Sequence, residues 1–95
     1  QLYKLTEEAD LDLIEIFQFS KERFGLKQTR IYFRQLHKVF NQLNLNPTIG
    51  KQRNEIKVGL YSITQQSHTI FYEILKDYVL IVRVIHGYRD LPRQF

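Results

Sequence analysis

Cysteine is absent from the 95 residues. Disulfides and thiolate metal sites are therefore excluded, which fits a reducing compartment. Methionine is absent too, so Gln1 is expected to lie after the true start. No apolar run approaches the ~20 residues that a membrane span needs, and no secretory signal is visible. The four glycines lie far apart, so no phosphate-cradling loop can be read. The three histidines are dispersed and lack paired carboxylates at ligand spacing. No metal and no cofactor is expected. No Ser–His–Asp signature can be read either.

What is present is enough for one domain spanning residues 1–95. A chain of this size buries roughly 60–65% of its unfolded surface, so its core is real but thin. The net charge is +4. Its distribution says more than its total. Residues 1–24 hold six acids and three bases, a net of −3; the remainder hold eleven bases and four acids, a net of +7. An acidic front and a basic body point to a polyanionic or acidic partner, or to nothing more than a solvated basic surface.

Residues 2–5, "LYKL", alternate like a short strand. Thr6 can cap a helix whose first turn carries Glu7, Glu8 and Asp10. Ala9, Leu13, Ile16, Phe17 and Phe24 follow helical spacing, and Gly25 is a stop signal. A second helix follows at once, with Tyr32, Leu36, Val39, Phe40 and Leu43 as its stripe, and ends before Pro47. So short a joint folds the pair into an αα-hairpin. Residues 46–56 read as a polar loop carrying Lys51 and Arg53. Three strand-like segments, 59–65, 68–75 and 78–86, are joined by tight turns and are therefore consecutive and antiparallel. The expected fold is α+β: an N-terminal strand and a helical hairpin packed on one face of a small antiparallel sheet.

The last strand is apolar on both faces. Regular alternation points Leu80, Val82 and Val84 one way and Val79, Ile81 and Ile85 the other. One helical hairpin covers one face. The other face either presents an apolar groove to a partner or is closed by the C-terminal tail.

The strand ends in "RVIHGYRD", residues 83–90. Arg83 sits among apolar neighbours and must find a carboxylate, a phosphate or solvent. It marks either an anion site or a structural ion pair, with Glu73 or Asp90 as candidate partners. His86 has the chemistry of a general acid or base. Cleavage of RNA through its 2′-hydroxyl would need a base, an acid and cations together. His86 or His68, Tyr88, Lys51, Arg53 and Arg83 are the right types, but nothing local in the sequence fixes their geometry.

Four strings in order now carry a resemblance. They are "YKLTEEADLDLIEIF" (3–17) with A-x-x-D-L at Ala9–Leu13, and "RFGLKQTRIYFRQL" (23–36) with its Phe24–Gly25 pair and later Tyr32. The third is "LNPTIGKQRNEIKVGLYSI" (45–63), with N-P-x-x-G. The last is "HTIFYEILKDYVLIVRVIHGYRD" (68–90), a tyrosine-containing hairpin ending in Arg-Val-Ile-His with a late Asp90. Together they resemble the ParE branch of the RelE/ParE toxin superfamily over nearly the whole chain. The resemblance implies a cytoplasmic toxin of a bacterial type II toxin–antitoxin pair. It would act on DNA gyrase by protein binding, with no catalytic residue, and be neutralised by a ParD-like antitoxin. Contact with nucleic acid is expected only through the antitoxin complex. Arg83, His86, Tyr88, Arg89 and Arg93 are the expected target-binding surface. Leu80, Val82 and Val84, with the outer helix faces, are the expected antitoxin surface. The alternative is a ribosome-dependent mRNA endoribonuclease of the RelE type, with Arg53, Arg83, His86 and Tyr88 as its catalytic set.

Overall fold

The computed structural model describes residues 3–87. Strand β1 (Tyr3–Leu5) runs directly into helix α1 (Glu7–Phe24). Thr6 caps α1: its hydroxyl accepts from the Ala9 N–H at 3.0 Å. The three acids of the first turn complement the helix dipole. Gly25 ends the helix at φ 86° and ψ 165°, a region open essentially to glycine alone. Helix α2 (Leu26–Leu45) starts on the next residue. The expected hairpin is therefore what forms.

Residues 46–56 hold more structure than the loop expected there. A 3₁₀ turn (Pro47–Ile49) leads into a two-residue strand, β2 (Lys51–Gln52). Tyr72 explains the turn. Its hydroxyl donates to the Pro47 carbonyl at 2.6 Å and accepts from the Gly50 N–H at 3.0 Å. Gly50 passes so close to Tyr72 and Ser62 that a Cβ would collide with the phenol and lie 2.8 Å from the Ser62 carbonyl oxygen.

Strands β3 (Leu60–Gln65), β4 (His68–Ile74) and β5 (Val79–His86) form the expected antiparallel meander. The sheet order is β1-β5-β4-β3-β2. The sheet is mixed rather than purely antiparallel, because β1 pairs with β5 in parallel: Tyr3 faces Val79 and Leu5 faces Ile81. The helical hairpin is the crossover that lets the chain return and place β5 beside β1 in the same direction.

The main core lies between the hairpin and the sheet. Ala9, Leu36, Phe40 and Leu43 meet Ile70, Tyr72, Val79, Ile81 and Val84 there. Phe24, expected on this face, is instead 63% exposed in the last turn of α1. On the opposite face Leu60, Phe71 and Ile85 are buried, with Ile56 and Val82 against them. Ile56, from the segment before β3, covers part of this second, smaller core, while Leu80 and Val82 stay half-buried. The C-terminal tail, the other cover expected for this face, lies outside the described residues.

The strict alternation expected along β5 also fails, for an identifiable reason. The register with β4 shifts between Phe71, which faces Arg83, and Tyr72, which faces Ile81. Val82 is the extra residue of a β-bulge. Ile81 and Val84, three apart, thus both point at the helices, and Val84 is 2% exposed in the main core. Leu80 and Val82 keep the outer direction; Val84 does not share it.

Candidate functional site

The bulge places Arg83 at the free edge of β5, beyond the point where β1 ends. Helix α1 lies along that edge. Asp12 reaches across and accepts from Arg83 Nε at 2.7 Å and Nη2 at 3.0 Å, a two-pronged pair. The same carboxylate accepts from the Val84 N–H at 3.0 Å. Thr6 donates its hydroxyl to the Val82 carbonyl at 2.7 Å. Thr6 and Asp12 therefore replace strand pairing where the sheet has none. The Asp12 carboxylate holds the Arg83 guanidinium above its ordinary pKa. The partner anticipated for Arg83 was Glu73 or Asp90. Glu73 pairs with Lys57 instead, at 2.8 Å, and Asp90 lies outside the described residues.

One strand end further on, His86 sits opposite His68, both directed to the helix side. Their rings meet edge to face at 5.3 Å. His68 is 8% exposed, whereas His86 is exposed. The Tyr32 hydroxyl of α2 lies 2.6 Å from His68 Nδ1 and donates to the Gln65 carbonyl at 3.0 Å. A phenol has one proton, so with that donation His68 Nδ1 is the donor to Tyr32 and carries the hydrogen. Burial, reinforced by the neighbouring His86, lowers the His68 pKa to about 4. Burial raises Tyr32 to about 12. A cleft of about 660 Å³ opens between α1 and this strand end, lined by Ile16, Phe19, Arg83, His68 and His86 among others. Phe19 stands 55% exposed at its side.

Arg53 is elsewhere. It lies on the outer face, its guanidinium 5.7 Å from the centre of the Phe71 ring. It donates to Glu55 at 2.7 Å and to the Ser62 hydroxyl at 3.1 Å. Lys51 is exposed on the edge strand. Tyr88, Arg89 and Arg93 lie outside the described residues. The structure thus brings Arg83 and His86 to one cleft and puts Arg53 on the other side of the sheet. Sequence reasoning passed over Asp12 and Tyr32. Asp12 was visible in the A-x-x-D-L string, but only folding shows which strand edge it meets. Among the described residues no helix is long and apolar enough to cross a membrane.

The helical hairpin packed on its sheet gives the chain an overall fold similar to that of a solved structure. That structure is a chromosomal ParDE toxin–antitoxin system from P. aeruginosa, matched with a TM-score of 0.75 over 92% of this chain and 98% of that one. At 15% identity the likeness concerns the fold. The sequence goes further. Residues 3–91 match the family described as ParE toxin of type II toxin-antitoxin system, parDE. Toxin ParE1 of Mycobacterium tuberculosis is 33% identical over 92 residues, covering 96% of this chain and 94% of the relative. Toxin ParE1 of Caulobacter vibrioides is 30% identical over 84 residues, covering 88% and 86%. The chain belongs to the ParE toxin family of type II toxin–antitoxin systems.

Proposed function

We propose that this toxin inhibits DNA gyrase by binding it in the cytoplasm, performs no chemistry of its own, and is neutralised by a ParD-like antitoxin. One observation carries the choice against a nuclease: the sheet divides the candidate catalytic residues. Arg53 lies over Phe71 on the outer face, whereas His86 meets His68 edge to face on the helix face. A phosphorane needs its acid, base and cations around one point. The two arginines are moreover each held by a carboxylate of the same chain, Glu55 and Asp12. His86 and Arg83 form the described part of the proposed target surface; Tyr88, Arg89 and Arg93 complete the proposal.

A ParD-type partner is supported by the ParDE description of the structural neighbour. For its docking surface the candidates are Leu80 and Val82 on the outer face, and Leu11 and Ile14, which α1 exposes by 57% and 50%. Val84 is withdrawn from that set because it is core. The purified chain should block gyrase supercoiling or accumulate cleaved DNA, and the antitoxin should relieve the effect. Full toxicity with untouched gyrase, accompanied by ribosome-dependent mRNA cleavage, would reverse the reading.

A further inference from the structure

Between Glu22 and Glu55 the chain contains no acidic residue. Helix α2 occupies most of that interval and carries Lys27, Arg30, Arg34 and Lys38. These four are three, four and four residues apart, so they stand one above another along a single ridge. At 1.5 Å per residue the ridge is roughly 16 Å long. All four side chains are exposed. Among the described residues the ion pairs engage Arg53, Lys57 and Arg83, none of them on this ridge.

The geometry points to this crest of α2 as a binding surface for the phosphate backbone of duplex DNA, used without regard to base sequence. Charge complementarity identifies the class: aligned cations with no anion on the same helix match a regular row of phosphates. An amphipathic acidic peptide would need apolar surface beside the cations. Helix α2 exposes large apolar side chains only at its two ends, Leu26 and Leu45. A shallow, mainly apolar hollow does open beside Arg30, Arg34 and Lys38, floored by Phe17, Ile31 and Phe33. Ile31 and Phe33 are half-buried there, and Phe33 is packed on Phe17 at 5.1 Å. The ridge therefore offers a peptide far less apolar surface than charge, and a polyglutamate peptide tests that occupant. The form of the duplex follows from groove width. The B-form major groove, about 12 Å wide, admits a helix; the deep, narrow groove of A-form RNA does not. Such binding does not depend on gyrase, so the two readings fail separately.

The test is fluorescence anisotropy of a labelled DNA duplex titrated with the full chain at several salt concentrations. Four neutralised phosphates give a slope of log K against log salt of about −3.6, a loss of about 100-fold between roughly 50 and 200 mM. Each single substitution, Lys27→Gln, Arg30→Gln, Arg34→Gln or Lys38→Gln, should reduce the slope by about 1. The fourfold variant should lose the binding while keeping its helical circular dichroism, because glutamine is a good helix former. Lys76→Gln, in the exposed β4–β5 turn, should leave the slope unchanged. Absence of binding at about 50 mM salt, or a slope that survives the fourfold substitution, overturns the proposal. So does tighter binding of double-stranded RNA or of a polyglutamate peptide at equal charge concentration.

Discussion

His68 shows how one buried side chain can make the whole fold sensitive to acid. Its folded pKa of about 4 lies below the ordinary histidine value. The unfolded chain therefore binds this proton more readily than the native one below about pH 6.5. Stability from this group is complete above that pH and is lost as pH falls towards 4. Chemical denaturation at pH 7.5 and 4.5 should show a loss of about 1–3 kcal/mol. His68→Gln should remove most of the difference between the two pH values. Gly50 and Tyr72 make a second residue-scale case. Gly50→Ala forces a methyl group against the phenol and the Ser62 carbonyl, and should cost about 2–3 kcal/mol in urea unfolding. Tyr72→Phe removes one hydroxyl that serves two backbone groups, and should cost about 1–2 kcal/mol. The N-P-x-x-G string was legible as a turn. That a tyrosine two strands away holds it was not, because the contact spans 22 to 25 residues.

At the scale of elements, the relation between α1 and β5 organises the site. The helix limits were legible, since Thr6 and Gly25 act on their own neighbours. The face structure of β5 was not. Every residue from Val79 to Ile85 except Arg83 is apolar, so no polar position marks where alternation breaks. The bulge at Val82 lets Arg83 turn to Asp12, a pair whose side chains are 21% and 14% exposed. Asp12→Asn keeps the shape but strips the arginine of its counter-charge. It should destabilise the fold by about 1.5–3 kcal/mol, read from the shift in urea midpoint at unchanged m-value. Should stability stay level, the pair would be no more than a surface ion pair.

Across the whole molecule, closure of the sheet depends on a three-residue strand that the helical hairpin returns to β5. Tyr3 anchors it, with its ring 5.1 Å from Phe40 and its hydroxyl 2.7 Å from His37 Nδ1. Deleting residues 1–5 would bare the β5 edge at Val79–Ile81 and open one end of the main core. The shortened chain should unfold at lower denaturant and elute from size exclusion as larger species, because an unpaired apolar edge recruits other strands. A monomer of unchanged stability would contradict this role for β1.

By itself the sequence determined the order of the two helices and four of the five strands, the caps, the hairpin, the meander and the family, because these follow from neighbours and from local strings; the short β2 it read as loop. Only the tertiary structure decided the direction of β1, the bulge in β5, the packing of Ile56 on the outer face and the separation of Arg53 from His86. Each of those depends on which distant residues share a strand edge or a face, and short-range spacing carries no record of that.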